Sequence, residues 1–225
     1  MTTARVAAFL LADSRLPSGA YSHSAGLEPA VLAGLGVAGV YPYLLSRLRT
    51  VMRVETAAAV LALRAAVAPD PADGFISIEH ALDARTPSAA QREASRRLGR
   101  GLLRLAANVR AEHPAVLALQ HAVPKPTRPV ALGVWAAAFG IAERTLADLC
   151  CYDDAQSVVA AAQKLLPIDP MDGTRWILDA AGHFDAVASE ALAVRGIDDI
   201  PAPSAPWMEH WAEDHTTRTR RLFVA

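Results

Sequence analysis

Residues 88–110, SAAQREASRRLGRGLLRLAANVR, decide the fold class. Apolar side chains recur in this stretch every three or four residues, which places them on one face of an amphipathic helix. The initial serine and the glutamine three residues later have the spacing of a capping box, so we expect the helix to begin there. The predicted apolar face consists of Ala94, Leu98, Leu102, Leu105 and Val109.

The rest of the chain continues the helical pattern. Its 225 residues are 52% hydrophobic but only 6% aromatic, so alanine and leucine fill the core, and alanine is the best helix former. We predict an all-α protein, a single-domain bundle of roughly 8–10 helices with a C-terminal tail. Its long helices include one from near Pro42 to about Val67 and a last one from about Asp172 to Arg195.

Prolines divide the predicted organisation in two. Residues 1–199 form the helical domain, and residues 200–206, IPAPSAP, read as a semi-rigid linker. The tail that follows ends in large apolar residues, which need a surface to cover them. Residues 200–225 are therefore predicted to be a linker and a partner-docking tail, and packing of the tail on its own core is the alternative.

Charge and cysteine content restrict the class of protein. A net charge of −1 does not suit a polycation that binds nucleic acid in bulk. Cys150 and Cys151 are adjacent and cannot staple a fold, so a reducing cytoplasmic location fits best. The longest uncharged hydrophobic stretch, residues 129–142, is too short for a transmembrane helix, and we expect no membrane association.

Two motifs imitate ligand sites. Residues 34–39, GLGVAG, match a dinucleotide fingerprint, but a helical pattern precedes them where that motif requires a strand. His210 and His215 are five residues apart, whereas zinc-binding histidines on one helical face are four apart. No catalytic constellation emerges, so the chain is predicted not to be an enzyme and to bind neither cofactor nor metal.

Arginines form a ladder on the central helix. Arg92, Arg96, Arg100 and Arg104 are spaced by four residues, and like charges at this spacing repel, so anions should lie nearby. Internal pairing, protein contact and nucleic-acid binding all remain open, and the last is our alternative function. Two glycines in the same helix, Gly99 and Gly101, predict that another backbone passes close to it.

The segment LLADSRLPSGAYSHSAGLE, residues 10–28, is too complex for a plain connector. Its proline, glycines, hydroxyls and histidine lie between two apolar runs. This segment resembles the signature of the UreF family of urease accessory proteins, in which His23 takes a position that is usually aromatic or histidine. The matching residues are Pro17, Gly19, Tyr21, Ser24, Gly26, Leu27 and Glu28.

The resemblance extends over nearly the whole chain. Residues 92–100, 129–133 and 138–141 are similar to conserved helical stretches of the family, and His215 and the run Arg221, Leu222, Phe223 resemble its C-terminal close. The chain departs from the family pattern at three places. These are Asp169 and Pro170, Thr216, and the final residues Val224 and Ala225.

The resemblance implies a non-enzymatic, all-helical homodimer that helps to load nickel into apo-urease. Family members bind the accessory protein UreD/UreH and recruit the nickel-carrying GTPase UreG, whose GTP hydrolysis they can modulate. No contact with nucleic acid or membrane is implied.

The same resemblance assigns the site residues. The UreG-facing residues are His23, Ser24, Glu28 and Arg221. The UreD/UreH-docking residues of the tail are His215, Arg221, Leu222 and Phe223. The structural residues of the signature are Pro17, Gly19, Tyr21, Gly26 and Leu27. As alternatives, His23 caps the helix that follows it, and Leu222 and Phe223 pack on their own chain.

Overall fold

A computed structural model describes residues 1–13, 15–219 and 222–223. These residues are 74% helical and contain no strand, which confirms the all-α prediction. Twelve α-helices follow one another along the described chain. They are α1 (Thr3–Ala12), α2 (Leu27–Leu32), α3 (Val40–Arg49), α4 (Val51–Ala66), α5 (Ala72–Arg85), α6 (Ala89–Val109), α7 (Pro114–Ala122), α8 (Arg128–Phe139), α9 (Glu143–Leu165), α10 (Pro170–Asp179), α11 (Ala181–Ala193) and α12 (Pro206–Thr216).

The core lies where α4, α8 and α9 meet. Small residues let α4 and α8 approach closely, because a Cβ atom on Gly133 of α8 would lie 2.6 Å from the carbonyl oxygen of Ala59. Trp135 on α8 is among the largest fully buried side chains. The helices α5, α6 and α11 pack around this centre, and burial of their apolar faces is the main favourable contribution to folding.

Two of the predicted long helices are each divided. The helix expected from Pro42 to Val67 breaks at Thr50, whose φ of −124° and ψ of −85° are not helical. The Thr50 hydroxyl donates to the carbonyl of Ser46 at 2.7 Å. A second break at Ala180 separates α10 from α11, and both halves then pack on α9. These breaks, together with a helix in the tail, raise the helix count above the expected range.

The glycine prediction for α6 is confirmed. A Cβ atom on Gly99 would overlap the backbone of Pro126 and Thr127, in the connection before α8. A Cβ atom on Gly101 would overlap the carbonyl group of Ser18. The N-terminal segment therefore crosses α6 in direct backbone contact at Gly101.

The linker and α12 are fixed against the body of the protein. Arg85 at the end of α5 donates to the carbonyl groups of Ile197 and Ile200, at 3.1 and 3.0 Å. The next helix, α12, packs against α2 and α6. Its Glu213 carboxylate accepts hydrogen bonds from the Ser88 hydroxyl at 2.7 Å and the Ala90 amide at 3.0 Å, so the tail helix caps the N-terminus of α6.

Across the described chain, no helix has both the length and the apolar character that crossing a bilayer requires.

Candidate functional site

The first half of the signature segment, residues 17–28, is a compact turn. Around Pro17 the Ser18 amide donates to the carbonyl of Leu16 at 2.7 Å. Gly19 has a φ of +90°, a left-handed conformation that glycine adopts without a steric penalty. The Ser22 hydroxyl donates back to the Gly19 carbonyl at 2.8 Å. These bonds hold the turn in the place where Ser18 meets α6.

The second half leads into α2 through a left-handed pair. Ala25 and Gly26 have φ values of +50° and +75°, and a Cβ atom on Gly26 would lie 2.8 Å from the Tyr43 hydroxyl. That hydroxyl donates to the Ala25 carbonyl at 2.9 Å. The Ser24 side chain accepts a hydrogen bond from the Glu28 amide at 3.3 Å. A side-chain hydrogen bond at the start of α2 therefore comes from Ser24.

Glu28 joins the two ends of the chain. The residue is 4% exposed, and its side chain accepts hydrogen bonds from the backbone amides of Leu222 at 2.6 Å and Phe223 at 2.9 Å. The Nε2 atom of His215 lies 3.2 Å from the same carboxylate. An ionised carboxylate can only accept, so it fits the His215 form that carries hydrogen on Nε2. The contact unites the signature segment with the tail, residues 200–225.

The predicted site residues divide into buried and exposed ones. His23, Ser24 and Leu27 are buried with Glu28. In the tail, His215 and Phe223 are also buried, and Lys164 lies over the Phe223 ring at 5.1 Å. Leu222, by contrast, is 65% exposed. Arg221 lies outside the described residues.

Tyr21, which the resemblance assigns to the structural residues of the signature, lies at the surface. Its side chain is 69% exposed, on the short 3-10 helix of residues 20–22 that follows the Ser18 crossing. The sequence contained a signal for this exposure, because a large aromatic residue within a polar turn rarely reaches the core. Among the predicted site residues, Tyr21 and Leu222 are thus exposed, whereas His23, Ser24, Glu28 and His215 form a buried polar layer.

A cleft of about 250 Å³ lies beside this layer, between α4, α6, α9 and α12. In its floor Arg47 binds Asp154 through two nitrogens, with a shortest distance of 2.5 Å. Arg128 donates to Asp153 through a single nitrogen, and another of its nitrogens lies 3.7 Å from Glu55. Burial raises the pKa values of the Glu55 and Asp153 carboxyl groups. The charges of the floor are paired largely with one another.

The described residues contain no cluster of three or more histidine, cysteine, aspartate or glutamate side chains that could hold a metal ion. Cys150 and Cys151 are free thiols in the core. Burial raises the pKa of Cys151 to about 12 and also raises that of Cys150. The two thiols are therefore protonated near neutral pH and are poor nucleophiles.

The arginine ladder is largely satisfied within the protein. Arg92 donates to the carbonyl groups of Thr86 and Pro87. Arg96 binds Asp83 at 2.6 Å, and Arg100 binds Glu93 at 3.1 Å. The expected anions are thus present for two of the four ladder residues, and carbonyl oxygens serve a third.

The fold and the site define an α-helical protein in which an N-terminal turn and a C-terminal tail share one buried carboxylate. The model of the UreF family matches residues 36–181. Urease accessory protein UreF of Mycobacterium bovis (strain BCG / Pasteur 1173P2) is 36% identical over 217 residues, covering 96% of this chain and 96% of the relative. The protein of the same name from Mycobacterium tuberculosis (strain ATCC 25618 / H37Rv) has the same identity and coverage. The chain belongs to the UreF family of urease accessory proteins.

A third relative, urease accessory protein UreF of Mycobacterium sp. (strain JLS), is 37% identical over 220 residues. The family model stops short of both chain ends, but the full-length relatives cover 96% of the chain. The residues outside that alignment are fewer than the residues of the segment 10–28, so the alignment includes at least part of this segment. The resemblance inferred from the sequence is confirmed at the level of the family.

Proposed function

We propose that this chain is a non-enzymatic docking platform in urease maturation. It binds UreD/UreH and recruits the GTPase UreG, so that nickel reaches apo-urease, and it modulates GTP hydrolysis by UreG. Membership of a family of urease accessory proteins supports the general role. The Glu28 contact and the burial of the site residues support the proposed partners.

The Glu28 contact carries the proposal. The two parts of the sequence with the most specific family resemblance lie at opposite ends of the chain, and one carboxylate holds them together. A hydrogen bond to an ionised acceptor is about twice as strong as a neutral one. A partner that binds the tail therefore also acts on the signature segment, because both depend on the same buried group.

The burial pattern supports a division of roles within this surface. We assign UreD/UreH docking to residues 200–225, with Leu222 and Arg221 in contact and with His215 and Phe223 holding the tail in position. UreG then meets the neighbouring surface, where Arg221 and Tyr21 are the contact residues. The buried groups His23, Ser24 and Glu28 act by positioning this surface.

The proposal includes a homodimer in the cytoplasm. The homodimer rests on the family resemblance. The location is supported by the two free thiols, since unpaired cysteines persist in a reducing compartment.

The test is size-exclusion chromatography with light scattering on the chain co-expressed with UreD/UreH and UreG. Wild type should form a complex of all three components. Arg221→Ala should lose UreG but keep UreD/UreH, because Leu222 and the rest of residues 200–225 still provide that contact. Glu28→Gln should weaken both contacts, since the amide is a poorer acceptor for the tail than a carboxylate.

Glu112→Gln is the matched control, because it makes the same chemical change at an exposed glutamate in the turn after α6. It should behave as wild type. If the wild-type chain elutes without either partner, the proposed function is wrong.

A further inference from the structure

Two arginines of α6, one of them in the ladder, differ from the other cations of this helix. Arg97 and Arg104 are both exposed, and within the described part of the chain neither forms an ion pair or donates a side-chain hydrogen bond. Residues seven apart lie on the same face of a helix. Their guanidinium groups therefore project from one side of α6 with their hydrogen-bonding capacity unused.

The signature segment crosses α6 between these two arginines. Gly101 is four residues after Arg97 and three before Arg104, and it is the position where the Ser18 carbonyl touches the helix. The exposed Tyr21 follows three residues after Ser18. Arg97 and Arg104 thus lie on either side of the point where the segment that carries Tyr21 meets α6.

Two carboxylates, one on α6 and one just before the signature segment, are already engaged. Glu93 is the single acidic residue in the α6 sequence, and it pairs with Arg100. Asp13, just before the signature segment, pairs with Arg15 at 2.7 Å, and the hydrogen bond from Arg15 lowers the Asp13 pKa to about 2. The guanidinium groups of Arg97 and Arg104 can therefore pair with an anionic group outside the described chain.

We propose that Arg97 and Arg104 bind an acidic surface patch of the protein that docks on the signature segment. The inference rests on the proposed function and specifies the chemistry of the partner. A planar guanidinium binds a carboxylate through two parallel hydrogen bonds, and arginine and tyrosine are enriched in protein interfaces. Such charges act mainly on association rate and specificity.

A protein partner fits this surface better than a nucleic acid does. Proteins that bind duplexes commonly make about 6–10 phosphate contacts, whereas this face offers two free arginines beside an exposed tyrosine. The chain as a whole has a net charge of −1, which repels a polyanion outside a local patch.

The experiment measures UreG binding to the chain in its complex with UreD/UreH, by biolayer interferometry at several salt concentrations. The double variant Arg97→Glu/Arg104→Glu should bind at least about tenfold more weakly, chiefly through slower association. Its affinity should also fall less steeply with salt. The introduced glutamates can pair with Arg100 on the same helix, so α6 should stay folded, and a thermal melt checks this.

The control is the double variant Arg49→Glu/Lys125→Glu. It makes the same change in charge at two exposed cations away from the signature segment, and its affinity should stay within about twofold of wild type. If the arginine variant folds and binds UreG as wild type does, the inference is wrong and the proposed function stands.

Absence of UreG binding by wild type would overturn the proposed function and the inference with it. An RNA duplex is the second probe. If the duplex competes with UreG for wild type and loses its affinity in the double arginine variant, the face binds nucleic acid, and the acidic-protein inference is wrong.

Discussion

Asp154 and Glu28 are both buried carboxylates, but different kinds of structure satisfy them. Asp154 receives the Arg47 guanidinium, and the two residues lie on α3 and α9, which pack against each other in the body of the protein. Glu28 receives backbone amides of Leu222 and Phe223, which follow α12. The first contact is fixed by two packed helices, whereas the second lasts only as long as the tail stays in place.

This difference separates a rigid interior from a surface that can respond to a partner. The tail is attached to the body through polar contacts at Glu28, Ser88 and Arg85 and through the buried side chains of Ile200, Met208 and Phe223. A segment with fewer buried contacts than the core opens locally at a lower free energy. Variants that act on the interior and variants that act on the tail should therefore give distinct results.

Breaking the interior contact should have the largest effect. Arg47→Ala leaves the buried Asp154 charge without its guanidinium, and removal of one member of a buried pair costs about 3–5 kcal/mol. We expect a loss of this size in the free energy of unfolding, measured by urea denaturation.

The double variant Arg47→Met/Asp154→Leu is the control, because it removes both charges and keeps the volume. It should recover most of the lost stability. If the free energy of unfolding of Arg47→Ala lies within about 1 kcal/mol of wild type, the interior depends less on this pair than we argue.

An intermediate effect is expected where the signature segment crosses α6. In Gly101→Ala the new methyl group overlaps the Ser18 carbonyl, and such overpacking costs about 1–3 kcal/mol. This exceeds the gain of up to about 1 kcal/mol in helix propensity. Thermal unfolding should show the loss, and hydrogen exchange should show weaker protection in the turn around Ser22.

Gly182→Ala provides the comparison within α11, where a Cβ atom meets open space. It should leave the stability unchanged or raise it by up to about 1 kcal/mol. Equal effects of the two alanine substitutions would contradict the close backbone contact at Gly101.

The smallest effect concerns the attachment of α12. Hydrogen bonds from the Ala90 amide and the Ser88 hydroxyl lower the pKa of Glu213. The stabilisation from these bonds is therefore complete above the ordinary carboxyl pKa and is lost as the pH falls through the lower pKa of the folded state. Amide protection of α12, followed by hydrogen exchange, should decrease in that acidic range.

Glu213→Gln should remove this part of the pH dependence, because the amide does not titrate. Glu209→Gln, on the same helix, should keep it. If both variants retain the acid sensitivity of wild type, another group attaches α12 to α6.

The sequence was sufficient for local structure such as α6. Its capping serine accepts the expected bond from the Gln91 amide at 3.2 Å, and its two glycines lie where other backbones pass. The divisions at Thr50 and Ala180 were missed because neither position has a glycine or proline. At Thr50 the side-chain hydroxyl bonds the Ser46 carbonyl, a contact that hydrophobic periodicity does not report.

The site was predicted as a set of residues but not as an arrangement. Glu28 and His215 were both assigned, yet their contact spans 187 positions and no local pattern encodes it. Glu213 was not identified either, since its role depends on α12 reaching the start of α6. Family resemblance indicated which residues matter, and only three-dimensional packing shows that they form one unit.

The long separation of the Glu28 contact sets its timing during synthesis. The Phe223 amide follows Glu28 by 195 positions, and a ribosome that adds about 5–20 residues per second needs roughly 10–40 seconds to make the intervening chain. Throughout that interval the signature segment exists without the tail that completes it. A chain that ends before residue 223 lacks a tail amide that binds Glu28, so the joined surface is complete only after translation has passed that residue.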